Sequence, residues 1–259
     1  MIVIDPTDRG LLLGDGLFET LLALDGKVQR PLVHLARMGL GCAALGLPAP
    51  DQDEAMRVMA DALATSGLTH GRAAVRLNWT AGSGGRGLNR PLTLELRLWA
   101  TAAASLKPDH PARLMLASVR RNATSVTAHH KTLAYLDNVM ARREALAVGA
   151  NEAVMLNQDG DLACAAASNL FWIEGTQIYT PDLSCGVLAG TERARVLAAA
   201  AEAGIEARSV HASADILQKA DGIFLTNSLN GLWPVSHWQG TAVKTSPDAL
   251  RIMTVLGGH

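Results

Sequence analysis

The sequence predicts an α+β fold in two lobes. Strand-like alternation and helix-like periodicity follow one another irregularly, with no regular strand–helix–strand array. A small, polar, proline-bearing stretch at 101–111 divides the 259-residue chain into a smaller lobe of residues 1–105 and a larger one of residues 106–259. At 49% hydrophobic and 18% charged, the chain has ample material for a core in each.

In the first lobe, a short strand is expected within residues 1–20, before the glycine-rich turns Asp8-Arg9-Gly10 and Gly14-Asp15-Gly16. Phe18-Glu19-Thr20-Leu21-Leu22-Ala23 reads as a strand, Asp25-Gly26 as a hairpin turn and Lys27-Val28-Gln29 as its return. Pro31 opens a helix in which Leu32, Leu35, Ala36, Leu40, Ala43, Ala44 and Leu45 recur at helical spacing; Gly46 and Pro48 end it. Asp51 suits an N-cap for a second helix with Ala55, Met59 and Leu63 on one face. Ala74, Arg76 and Asn78 alternate with Val75, Leu77 and Trp79, which marks a strand over 72–80. A glycine-rich loop over 81–87 and a strand over 92–99 complete the lobe.

The second lobe begins with a strand over 113–119 and an extended or looped stretch over 128–131. From Leu133, the residues Leu136, Val139, Met140, Ala141, Ala145 and Leu146 have the spacing of a buried helical stripe. Strands are expected at 152–156, 169–173, 177–180, 207–210, 222–225 and 235–237, with turns at 157–161 and 174–175. Helices are expected at 190–203, 212–219 and 247–256. There is no internal repeat.

A net charge of −1 gives no overall field toward nucleic acid or an acidic membrane. Cys42, Cys164 and Cys185 lack metal-ligand spacing and suit reduced thiols in a cytoplasmic compartment. The N-terminus has no basic region ahead of a long apolar run, so no signal peptide is expected, and no apolar stretch reaches membrane-spanning length.

Lys131 and Tyr135 are four residues apart, about one helical turn, which would let both face one site. A lysine fixed in a partly apolar pocket becomes an amine nucleophile toward a carbonyl, and a phenol beside it can hydrogen-bond what that amine holds. Taken alone, a solvated lysine at a helix start is the ordinary reading. Three features suggest phosphate binding. Gly190-Thr191-Glu192-Arg193 opens a helix, where the Thr191 and Glu192 amides face outward; Thr226-Asn227-Ser228 follows a strand; and Arg37 offers a guanidinium. Each is weak alone. The loop over 82–87 lacks the Gly-Lys-Ser/Thr ending of a P-loop, and reads either as a flexible turn or as a mobile loop bringing Arg86 and backbone amides to a carboxylate. Arg120-Arg121 is either a solvated pair or an anion clamp. No Gly-x-Ser-x-Gly elbow supports serine catalysis.

Taken together and in order, these motifs resemble the fold-type IV pyridoxal-phosphate enzymes, the group of branched-chain and D-amino-acid aminotransferases and 4-amino-4-deoxychorismate lyase. The resemblance runs roughly from Asp8 to Val235. It rests on Asp8-Arg9-Gly10, Gly14-Asp15-Gly16-Leu17-Phe18-Glu19-Thr20 and His34-Leu35-Ala36-Arg37. It continues through Lys131-Thr132-Leu133-Ala134-Tyr135-Leu136-Asp137-Asn138, Ser168-Asn169-Leu170-Phe171-Trp172, Gly190-Thr191-Glu192-Arg193 and Thr226-Asn227-Ser228. It implies pyridoxal 5'-phosphate as cofactor, Lys131 as the Schiff-base lysine and Tyr135 as the partner of the cofactor's phenolic oxygen. It also implies a phosphate cup of Arg37, the Thr191 and Glu192 amides, Asn227 and Ser228. The implied partners are a small amine or amino-acid substrate and a second copy of the chain in a homodimer.

The loop Gly82-Ser83-Gly84-Gly85-Arg86-Gly87 and the segment from Asn227 to Val235 are similar to those of the lyase. The lyase would release pyruvate and 4-aminobenzoate, with Lys131 and Thr20 catalytic and Arg86 and Arg121 holding substrate. Two positions depart from the family. Ala81 stands where many relatives carry an arginine. Cys164 stands where the family places the glutamate that pairs with the pyridine nitrogen, and a thiol is a weak partner for a pyridinium. A branched-chain or D-amino-acid type aminotransferase is the second expectation, and a non-catalytic pyridoxal-phosphate-binding relative the third.

Overall fold

The structure is a computed structural model that describes residues 4–257. The start of the strand expected at the N-terminus falls on residues 1–3, outside the described residues; residues 4–7 form coil and turn. The chain divides into two compact units, residues 1–107 with 130–134, and residues 108–129 with 135–259.

The first unit contains a four-stranded antiparallel sheet of order β2-β1-β3-β4, built from β1 (Gly16–Leu24), β2 (Lys27–Val28), β3 (Arg72–Ser83) and β4 (Glu95–Ala104). Asp25 and Gly26 both take positive φ, the conformation of the tight turn that joins β1 to β2. Helices α2 (Pro31–Leu45) and α3 (Gln52–Thr65) cover the sheet with Leu35, Met38, Ala55, Met59 and Leu63 against Leu17, Leu21, Val75 and Leu77. Asp51 caps α3 by accepting from the Glu54 amide at 2.8 Å. One short helix, α1 (Arg9–Leu13), was missed: Asp8 caps it and Gly14, at φ 68°, ends it.

The expected apolar face of α2 is corrected. Its buried side is His34, Leu35, Met38, Gly41 and Cys42. Leu32, Ala36, Leu40 and Ala44 form an exposed stripe at four-residue spacing instead.

The second unit is organised on a nine-stranded mixed sheet of order β10-β9-β8-β11-β12-β5-β6-β7, with β13 paired to β12. Its strands are β5 (Ala112–Arg121), β6 (Glu152–Asn157), β7 (Leu162–Ala165), β8 (Asn169–Glu174), β9 (Gln177–Pro181), β10 (Ala207–Val210), β11 (Gly222–Asn227), β12 (Gly231–Trp238) and β13 (Thr241–Ala242). Its helices are α4 (Val126–His129), α5 (Leu136–Ala147), α6 (Thr191–Glu202), α7 (Ile216–Lys219) and α8 (Pro247–Gly257). Phe171 and Phe224 stack, with ring centroids 4.8 Å apart, and α6 and α8 pack over them. α5 buries only Asn138, Ala141 and Ala145; the expected stripe residues Leu136, Val139, Met140 and Leu146 are exposed. Among the described residues no helix is long and apolar enough to cross a membrane.

Lys131 does not belong to the larger C-terminal lobe, as expected, but to the first unit. The reason is backbone pairing. Phe18 N donates to Lys131 O at 2.9 Å, Leu133 N donates to Gly16 O at 3.0 Å, and Leu17 bridges Thr132, so the lysine segment extends the start of β1.

Candidate active site

The same pairing corrects the local reading of Lys131. Residues 131–135 are not helical, and α5 begins only at Leu136, so Lys131 and Tyr135 are not related by a helical turn. Glycines make the lysine segment possible. A Cβ on Gly16 would lie 2.4 Å from Trp79 O and 2.9 Å from Leu133 Cδ1.

Phe18 and Thr20 share one face of β1, by strand alternation, with their cross-strand neighbours Asn78 and Arg76 on β3. The Lys131 Nζ lies 4.3 Å from the centroid of the Phe18 ring, and the Arg76 guanidinium carbon 3.6 Å from it. Arg76 Nε donates to Asn78 Oδ1 at 2.9 Å. Sequence reasoning assigned no role to Phe18, Arg76 or Asn78. The available signal was the alternation of Ala74, Arg76 and Asn78, two polar residues on the side of β3 away from its core.

Glu19 points from the opposite face of β1 and is fully buried. Arg37 Nε donates to Glu19 Oε1 at 2.8 Å and Arg37 Nη2 to Glu19 Oε2 at 2.5 Å; His34 Nδ1 is 2.8 Å from Oε2. Burial pushes the Glu19 carboxyl up, but the hydrogen bonds from His34 and Arg37 outweigh it and hold the group below the ordinary range. Arg37 is thus set in one orientation by a carboxylate that is itself held by His34.

The glycine loop is tied down at its two ends. Arg9 donates to the carbonyls of Gly87, Leu88 and Asn89 at 3.4, 3.0 and 3.1 Å. Asp15 accepts from Arg9 Nε at 2.9 Å and from Arg90 Nε and Nη2 at 3.0 and 2.5 Å. Gly82, at φ 73°, approaches β4 so closely that a Cβ would lie 1.8 Å from Glu95 O. Arg86 is exposed on this pinned loop.

In the second unit Arg121 is buried, and its place differs from that of a substrate clamp. Its Nε donates to Gly186 O at 3.3 Å, Nη1 to Asn138 Oδ1 at 3.2 Å and Nη2 to Ala128 O at 2.8 Å. Asn138 in turn donates to Ala166 O at 2.7 Å. Arg121 therefore braces α4, α5 and the segment before α6. Cys164 on β7 lies opposite Met155 on β6 and is buried. Burial pushes its thiol up; the Arg121 cation opposes this and the Glu152 carboxylate adds to it. Glu152 opens β6, is itself buried, and accepts from Arg142 Nη1 at 3.2 Å and Ala167 N at 3.1 Å. Burial raises its carboxyl. Sequence reasoning missed Glu152, whose signal is a lone glutamate ahead of the apolar run Ala153-Val154-Met155-Leu156.

α6 starts at Thr191, and no side chain caps it. Its N-cap Gly190 abuts Asn169: a Cβ there would lie 1.8 Å from Asn169 Oδ1, and Asn169 Nδ2 donates to Leu188 O at 2.9 Å. The Glu192 side chain turns along the helix to Arg195, at 2.7 Å. Asn227 Oδ1 accepts from the Leu229 and Asn230 amides at 3.0 and 2.8 Å, while its Nδ2 donates to Ser168 Oγ at 3.0 Å. Asn227 thus shapes the turn that carries Ser228. The buried Thr226 Oγ1 has no hydrogen-bond partner among the described residues. A helix start without a side-chain cap and an orphaned hydroxyl on the adjoining strand end suit a phosphate group.

Residues 16–238 match the family described as amino-transferase class IV. The chain is 30% identical to an aminodeoxychorismate lyase of Bacillus subtilis over 241 residues, covering 90% of this chain and 80% of that protein. It is 29% identical to a Methanocaldococcus jannaschii protein named provisionally as a branched-chain-amino-acid aminotransferase, covering 91% of this chain and 83% of that one. A crystal structure from Legionella pneumophila, described provisionally as a 4-amino-4-deoxychorismate lyase, superposes with a TM-score of 0.91 at 26% identity, covering 100% of this chain and 96% of that one. The chain belongs to the class IV aminotransferases, a family of pyridoxal-phosphate-dependent enzymes.

Proposed function

We propose that the protein is a 4-amino-4-deoxychorismate lyase, releasing pyruvate and 4-aminobenzoate for folate synthesis. The observation that carries this reading is Cys164, a buried thiol with no acidic hydrogen-bond partner among the described residues, at the position where the family resemblance expects a glutamate. Pyridoxal 5'-phosphate supplies an aldehyde for the substrate amine and a ring that accepts electrons, and without an acidic partner the ring accepts them less readily. Aromatisation of the substrate ring provides a driving force that transamination lacks, so this reaction tolerates the weaker acceptor better.

In this proposal Lys131 would hold the cofactor's aldehyde and would serve as the base that takes the proton from the substrate's ring carbon bearing nitrogen. The bond from the neighbouring carbon to the enolpyruvyl oxygen then breaks, and the leaving group takes up a proton as pyruvate. Thr20, on the same strand face as Phe18, assists the departing oxygen. Arg86, on a loop pinned by Arg9, Arg90 and Asp15, receives a substrate carboxylate. Arg37, the Thr191 and Glu192 amides, Asn227 and Ser228 hold the phosphate, and Tyr135 bonds the phenolic oxygen. Arg121 enters as a brace beside Cys164 rather than as a carboxylate clamp, because three protein oxygens already occupy it.

We further propose a homodimer and a cytoplasmic location. The exposed stripes of α2 and α5 support the first, and three buried free cysteines are in keeping with the second. The similarity to a provisionally named branched-chain aminotransferase, within one percentage point of identity of the lyase, favours transamination as the second reading. Incubation of the cofactor-loaded protein with 4-amino-4-deoxychorismate tests the first. Stoichiometric 4-aminobenzoate and pyruvate support it. Conversion of the cofactor to its amine form by an amino acid, with return by a keto acid and no 4-aminobenzoate, selects the second.

A further inference from the structure

Three side chains of metal-ligand type converge within the second unit. Asp161 lies in the turn between β6 and β7, Cys185 in a single 3-10 turn after β9, and His211 directly after β10. Asp161 Oδ2, Cys185 Sγ and His211 Nδ1 lie within 4.8 Å of one another. Nδ1 is 2.8 Å from Asp161 Oδ2 and 3.4 Å from Cys185 Sγ. These three come from widely separated segments, which is why cysteine spacing showed no metal pattern.

The far side of the imidazole fixes its polarity. Ser184 Oγ donates to Asp182 Oδ1 at 2.6 Å, so it is an acceptor for His211 Nε2, 2.9 Å away. With a proton on Nε2, Nδ1 turns its lone pair toward a carboxylate oxygen and a sulfur. Three side chains of metal-ligating type thus point at one place, which either a proton shared among them or a metal ion can occupy.

We propose that Asp161, Cys185 and His211 form a zinc site with its fourth position open to solvent. Sulfur and imidazole together select a borderline metal over magnesium or calcium. Tetrahedral zinc with ordinary bond lengths places such ligand atoms about 3.3–3.6 Å apart, so the sulfur–nitrogen edge already fits and the nitrogen–oxygen edge must open by roughly half an ångström. Ser184 and Asp182 supply the outer hydrogen bonds that orient a zinc-bound imidazole. The side chains of His211 and Asp161 are 56% and 26% exposed, which leaves an entry path. Gly186, the residue after Cys185, accepts from Arg121, and the chain then runs to α6. Zinc here would brace the entry to the phosphate-binding helix.

The test uses tag-free, cofactor-loaded full-length protein, stripped with a chelator and then titrated with zinc sulfate by calorimetry, with metal content measured after gel filtration. One zinc per chain is expected. His211→Ala, at an exposed position, should weaken binding at least tenfold. The cobalt-loaded protein should show a sulfur-to-metal charge-transfer band that Cys185→Ser removes. Should Cys185→Ser fail to fold, His211→Ala and Asp161→Asn decide. No stoichiometric zinc, or wild-type affinity in His211→Ala, would overturn the proposal and leave His211 as an imidazolium paired to Asp161.

Discussion

Glu19 grips Arg37 through two N–H···O bonds of 2.8 and 2.5 Å, from a position with no solvent exposure. His34 adds a third contact to the same carboxylate. Removing the carboxylate takes the Glu19 charge away from a part-buried guanidinium. Glu19→Gln should therefore cost about 3–5 kcal/mol in denaturant unfolding, and weaken cofactor binding by releasing Arg37. The pH dependence has a definite sign. A carboxyl held below its unfolded value of about 4.3 contributes stability that is present above that pH and lost as pH falls through the folded value. Wild type should lose stability on acidification below roughly pH 4.5, and Glu19→Gln should show a flatter acid limb.

Gly190→Ala tests the phosphate end. Its Cβ would lie 1.8 Å from Asn169 Oδ1, so either Asn169 or the first turn of α6 must move. A cost of about 1–3 kcal/mol in stability is expected, with a cofactor dissociation constant raised roughly tenfold or more. Titration of the stripped protein with pyridoxal phosphate measures it. Unchanged cofactor affinity would remove α6 from the phosphate site.

Cys164→Glu places a carboxylate beside the Arg121 cation. If the thiol limits the ring as an electron acceptor, amine-donor half-reactions should speed up by roughly tenfold, about 1.4 kcal/mol of barrier. Cys164→Asp, a smaller change in a buried position, guards against overpacking. Stopped-flow spectra of the bound cofactor give the rate directly, and no acceleration in either variant would count against the acceptor account.

The exposed stripe of α2 carries the dimer prediction. Leu32 and Leu40 are 61% and 68% exposed, and burying each against a second copy is worth about 1.5–3 kcal/mol. Leu40→Glu should convert a dimer into monomer in light scattering at micromolar concentration. A wild-type protein that is already monomeric would remove the interface.

Sequence reading recovered elements wherever local signals were strong. Asp25-Gly26, Asp51 and Gly46 set a turn, a cap and a stop by their own backbone chemistry, and each stands where expected. It failed where a residue's role depends on what packs against it. Leu136 and Leu146 on α5, and Leu32 and Leu40 on α2, have helical spacing but face away from the core, because periodicity finds a stripe without telling which side is covered. The Lys131 segment was read as leading into a helix because nothing local signals that it pairs with residues 16–18. Arg121 could be seen as a cation, but its three carbonyl and amide acceptors are assembled only by the fold.

The identity of the lysine that holds the cofactor carries everything else. Borohydride reduction of the purified, cofactor-loaded protein, followed by proteolysis and mass mapping, measures it. The account predicts a visible absorption band before reduction, a phosphopyridoxyl label on Lys131 alone, and neither band nor label in Lys131→Ala. A colourless protein after incubation with pyridoxal phosphate, or a label on any other lysine, would contradict it.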